Sequence, residues 1–117
     1  VIKHACGNNW ALMDFFIDTG YDCYESIQAS AGMNIKKLKD KYGDKICLWG
    51  GYDYEKLVSG AKDDIKKDIE YAVEHVAKDG GFILGSSHSV GVGSDYDQFM
   101  TVLEEIERVR NRGNKYI

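Results

Sequence analysis

The 117-residue sequence predicts an α/β protein of four parallel βα units. Three observations lead there. Four short apolar runs are each bounded by Gly, Asp or Asn; a helical pattern follows each run; and the reactive side chains gather just after the runs. Short apolar runs of this kind suit strands covered on both faces, the signature of a parallel sheet. Strict alternation of strand and helix then makes every connection a right-handed crossover.

The first strand is read in VIKH (1–4), and the chain opens inside it without a Met, as a piece of a longer protein would. Leu12, Phe15, Phe16 and Thr19 form the first helical stripe, which Gly20 ends. YDCY (21–24) is the second strand. Its helix carries Ile35, Leu38 and Tyr42, with Asn34 as N-cap and Gly43 as the stop. KICLW (45–49) is the third strand. The next helix buries Ile65, Ile69, Ala72, Val73 and Val76 behind an acidic first turn, Asp63 and Asp64, that suits the helix dipole. GFILG (81–85) is the fourth strand. The last helix carries Phe99, Val102, Leu103, Ile106 and Val109 and is capped at Ser94 or Asp95. Two architectures fit this order: a small open doubly wound sheet, or four units of an eightfold barrel.

Composition narrows the function. Nineteen acidic residues against fifteen Lys and Arg give a net charge of −4, which argues against a nucleic-acid footprint. No apolar run is long enough to span a bilayer, so no membrane role is expected. Three cysteines, Cys6, Cys23 and Cys47, are an odd number, unsuited to a disulfide framework and in keeping with a reducing cytoplasm. Cys23 and Cys47 lie within strands as small buried hydrophobes. His75 lies among Glu74 and Lys78, on a solvated helix face.

In either architecture chemistry belongs at the carboxyl ends of the strands. The four exits read HACGNN, YESIQASAG, GGYD and GSSHSVG, while the opposite ends, TGYD, YGDK and KDGG, hold little beyond turn residues. If the first strand runs on to Cys6, His4 and Cys6 point the same way, because alternate residues of a strand share a face. A neutral imidazole and a thiolate aimed at one point form a soft-metal pair that zinc takes most often; the plainer reading is a hydrogen-bonded His and a buried Cys. His88, among small residues on the fourth exit, is a proton donor or a substrate contact. Asp53 is a catalytic candidate or the cap of a short helix at Tyr54. Tyr24, Gln28 and Ser87 are candidate substrate contacts. SSHSVGVGS lacks the Lys-Ser or Lys-Thr of a P-loop and reads as a flexible βα loop.

At these residues the sequence resembles a family. KHACGN resembles a His-x-Cys-Gly strand motif; IQASAGMNIKKLKDKYGDKICLWGGYD resembles the stretch after it, with a Gln, a Met-Asn, a Lys-rich helix and a Gly-Gly-x-Asp turn; GGFILGSSHSV resembles a last barrel strand. All three are similar to the carboxy-terminal half of the uroporphyrinogen decarboxylase superfamily. That group holds porphyrinogen decarboxylases and zinc-dependent methyltransferases that take methyl groups from corrinoid proteins.

The resemblance implies a (β/α)8 TIM barrel of which residues 1–117 supply strands five to eight as one domain. It implies zinc on His4 and Cys6, with GSSHS standing where the methyltransferases place a further Cys, so that His88 is the remaining candidate. The expected activity of the parent enzyme is zinc-assisted methyl transfer from a corrinoid, carried by a partner protein, to a small-molecule thiol. The alternative within the family is tetrapyrrole decarboxylation, whose key carboxylate-binding groups come mainly from an amino-terminal half with no counterpart here. A third expectation is a half-barrel that is inactive alone and pairs with itself or with its missing half, since four barrel strands leave two edges and apolar surface open.

Overall fold

In the computed structural model, which describes residues 1–112, four strands make one sheet: β1 (Ile2–His4), β2 (Cys23–Glu25), β3 (Cys47–Tyr52) and β4 (Phe82–Ser86). All neighbours are parallel and the spatial order is the chain order, β1-β2-β3-β4. Between and after them run α1 (Met13–Thr19), α2 (Ile35–Tyr42), α3 (Tyr54–Ser59), α4 (Lys62–Val76) and α5 (Tyr96–Asn111). Short 3-10 turns at Trp10–Leu12 and Ala29–Ala31 lead into α1 and α2.

The sequential strand order decides between the two architectures. A doubly wound sheet reverses its order at a switch point and carries helices on both faces. Here Tyr24 of β2 and Leu48 of β3 pack with Met13, Phe16, Ile35, Leu38 and Tyr42. Leu84 of β4 packs with Leu57, Ile65, Ile69, Val102 and Val109. Helix α4 joins the two clusters, giving Ala72 and Val76 to the first and Ile65 and Ile69 to the second. The helices therefore share one face, as in a run of barrel units, and the doubly wound alternative fails.

The opposite face bears Ile2, Cys23 and Cys47 in one register row and Trp49 and Ile83 in the next. None of them belongs to the two clusters, and Ile2 and Ile83 are 53% and 43% exposed. Cys23 is buried here, and burial, with Cys47 beside it, pushes its thiol up to about 12. Cys23 is thus the small buried residue the sequence suggests, whereas Cys47, expected to be the same, is only half-buried. On the same face the Trp49 ring lies across Gly85, its Nε1 2.5 Å from where a Cβ would sit. Gly85→Ala is expected to cost about 1–3 kcal/mol in urea unfolding through overpacking; an unchanged midpoint would mean that Trp49 swings clear.

Several elements depart from the sequence reading. Strand β3 runs on through Gly50, Gly51 and Tyr52, where a turn is expected after Trp49. In α1 the buried residues are Met13 and Phe16, whereas Leu12 and Phe15 are 46% and 63% exposed. The 3-10 turn before α1 resets its phase, and a short helix rich in apolar residues does not reveal which stripe is inward. Gly43 ends α2 as expected but in right-handed conformation; a Cβ there would lie 2.5 Å from the Lys39 carbonyl oxygen. Asp95, not Ser94, caps α5 by accepting from Gln98 N–H at 2.9 Å. His75 is half-buried, its ring edge-on to Tyr71.

In α5 Leu103 faces outward while Glu105 is 3% exposed, its carboxylate accepting from Arg108 Nε at 2.8 Å. The Arg108 hydrogen bond holds the Glu105 carboxyl below its usual 4.5, against the opposing effect of burial. A carboxyl lowered on folding stabilises above its unfolded value, and that stability is lost as pH falls through the folded value. Glu105→Gln is therefore expected to flatten the stability profile below pH 4.5; an unchanged acid limb in pH-dependent unfolding would contradict this.

Candidate active site

The first exit is built around Asn9. Strand β1 ends at His4, and the chain turns at Gly7, whose φ of +84° favours glycine. The buried Asn9 amide donates to the carbonyl oxygens of Ala5 and Cys6 at 3.0 and 3.1 Å and to the Tyr24 hydroxyl at 3.1 Å. Gly7 N–H donates to Gln28 Oε1 at 2.8 Å, tying this loop to the second exit. Cys6 thus leaves the strand, contrary to the continuous run expected, yet its Sγ lies 3.4 Å from His4 Nε2.

Glu25 is the register partner of His4, and its carboxylate pairs with His4 Nδ1. A carboxylate accepts, so Nδ1 carries the proton and Nε2 of the neutral ring presents its lone pair toward Cys6. This arrangement, a carboxylate behind a His whose other nitrogen faces a thiol, is how metal-ligating imidazoles are oriented. The Cys6 sulfur also lies 3.2 Å from Ser26 Oγ.

The third and fourth exits meet at Asp53 and Ser87, both buried. Asp53 caps α3, its Oδ1 accepting from Glu55 N–H at 3.2 Å and from the Ser87 hydroxyl at 3.3 Å, and its Oδ2 from Ser30 N–H at 3.0 Å. Ser87 Oγ accepts from Tyr54 N–H at 2.9 Å. His88 is exposed and its Nδ1–H donates to the Ser89 carbonyl at 3.2 Å, which leaves Nε2 unprotonated in the neutral ring. Its ring sits 5.4 Å from that of Tyr54 and 6.2 Å from that of His4, centre to centre.

A cavity of about 250 Å³ gathers Cys6, Gln28, Asp53, Ser87 and His88, with Tyr54 and Glu55. The structure therefore brings together most of the residues singled out from the sequence. Two stand outside the cavity lining: His4, which reaches it only through Cys6, and Tyr24, which is fully buried in the helix-side core, its hydroxyl donating to Ala5 O at 3.2 Å beneath the first exit. Among the described residues no three His, Cys, Asp or Glu side chains are grouped closely enough to hold a metal. His4 Nε2 and Cys6 Sγ converge to 3.4 Å, and the His88 ring stands 6.2 Å from that of His4. Glu25, Ser26 and Asn9 were not picked out as site residues. Glu25 was legible, since the last residue of a neighbouring parallel strand faces the same way as His4; nothing in the sequence marks the other two.

Four sequential parallel βα units with the candidate site side chains at their carboxyl ends match the framework of a barrel-type enzyme. The uroporphyrinogen decarboxylase (URO-D) family model matches residues 1–109, and the chain belongs to that family. Searches of the curated proteins and of the solved structures returned no match.

Proposed function

We propose that this chain is the carboxy-terminal half, strands five to eight, of a URO-D-fold enzyme that transfers a methyl group from a corrinoid to a small-molecule thiol with the help of zinc. The observation that carries the reading is the convergence of Cys6 Sγ and His4 Nε2 at 3.4 Å, with Glu25 holding the far side of the ring. Zinc on these two groups would hold a substrate thiol as its thiolate, the nucleophilic form. His88 is the third ligand or the proton carrier of the site, and Gln28, Ser87 and Asp53 shape the cavity that takes the thiol. The corrinoid, on a partner protein, approaches from the same mouth. The uncovered sheet face belongs to the barrel interior, closed by the amino-terminal half or by a second copy.

The test is proton release. A thiol that binds as thiolate gives up its proton, so adding a simple alkanethiol to zinc-loaded protein is expected to release about one proton per chain. No release above the zinc-free control would contradict methyl transfer to a thiol. It would favour the second reading, decarboxylation of a tetrapyrrole, which the name of the matched family supports and in which His88 acts as proton donor.

A further inference from the structure

Ser26 directly follows β2 and is fully buried, yet its φ is +77°. Among the described residues only Asp79 shares a positive φ without being glycine, and Asp79 lies on an exposed turn, where such a conformation is readily tolerated. A buried serine in the left-handed region persists only where its surroundings impose it, and such residues concentrate at functional sites. Here the surroundings are specific. The Ser26 hydroxyl donates to the Ser87 carbonyl at 2.5 Å. The Cys6 sulfur lies against the same oxygen, at 3.2 Å.

We infer that Ser26 is a positioning residue whose left-handed backbone aims its hydroxyl so as to tie the Cys6 sulfur to the fourth strand exit, fixing it over the cavity and within reach of His4. The inference rests on the reading that Cys6 belongs to the reacting site. The link joins segments 20 and 61 residues apart in sequence. It does not end at Ser87, because the Ser87 hydroxyl donates to Asp53 Oδ1 and accepts from Tyr54 N–H. Cys6, Ser26, Ser87 and Asp53 therefore form one connected series across all four exits. The sulfur's position is set by the whole mouth of the sheet rather than by its own loop, and this is the support that a ligand needs to be held in productive geometry.

Two variants separate the hydroxyl from the backbone. Ser26→Ala and Ser26→Gly both delete the hydroxyl, but only glycine relaxes the left-handed conformation. The first readout is the rate at which iodoacetamide alkylates Cys6 at fixed pH, followed by peptide mass spectrometry with Cys47 as internal reference. The second is affinity for cobalt(II), read from its thiolate absorption band. Cys6 is expected to alkylate several-fold faster relative to Cys47 in both variants, and cobalt affinity to fall by about 10–100-fold. Glycine should give no rescue, although it is the more stable of the two in urea. Parent-like alkylation in both variants, or restoration by glycine alone, would overturn the inference and leave any cobalt binding by the parent untouched. Failure of the parent to bind cobalt, with the alkylation effect intact, would sink the zinc reading and leave the role of Ser26 standing.

Discussion

Replacing Asp53 with alanine is expected to lower the unfolding free energy by about 3–5 kcal/mol, from the loss of a helix cap together with stranded buried donors. The carboxylate is 5% exposed and accepts from Ser30 N–H, Glu55 N–H and the Ser87 hydroxyl, which come from three separate segments. Alanine offers none of these donors a partner, and the site is too enclosed for all of them to turn to water. Its main-chain N–H still meets Asp68, whose other oxygen holds Lys56, so the defect stays local to the cap and the two exits. Asp53→Asn keeps one acceptor oxygen and is expected to cost only about 1–2 kcal/mol. Equilibrium urea unfolding followed by circular dichroism measures both. An alanine variant within 1 kcal/mol of the parent, on the order of one ordinary hydrogen bond, would show that the three exits are held by something other than this carboxylate.

Glu25→Ala is expected to weaken zinc binding by about 10–100-fold, the usual effect of removing the group behind a ligating imidazole. Without the carboxylate, the proton can move to Nε2 of His4, the atom that faces Cys6, and the ring is free to turn. Glu25→Gln retains an oxygen that accepts from Nδ1–H and should therefore lose less. Competition against a chelating dye gives both constants. Equal affinities in parent and alanine variant would mean that His4 is not a ligand, or that its orientation owes nothing to Glu25.

How much of this was visible beforehand varies with the physics of each feature. The four βα units were legible because apolar runs, caps and glycine stops report local structure directly. The polarised exits were legible because reactive residue types are rare and their clustering is conspicuous. The end of β3 was not. Gly-Gly reads as a turn, yet a Cβ on Gly50 would lie 3.1 Å from Ile27 Cβ, and one on Gly51 only 2.6 Å from Leu84 Cδ1. These glycines serve close packing within a strand, a tertiary demand that leaves the same mark as a turn. Similarly, the apolar stripe of the last helix includes Leu103, yet Leu103 is exposed and Glu105, paired with Arg108, is buried in its place. Tyr24 sits at a strand exit in sequence but turns toward the helices, because on β2 it alternates with Cys23 and Glu25 on the other face. Ser26 could not be found at all. Its importance lies in a backbone angle and in two partners distant in sequence, neither of which a serine codon advertises.

Zinc content is the most direct test of the site. Elemental analysis of the purified chain beside its Cys6→Ser variant asks whether the two converging groups of the first exit hold a metal. Close to one zinc per chain in the parent, lost in the variant, is the expected result for a site of this donor set. Well-folded parent protein without zinc, after exposure to a stoichiometric amount of the metal, would contradict it and leave His4 and Cys6 as a hydrogen-bonded pair at the rim of a metal-free cavity.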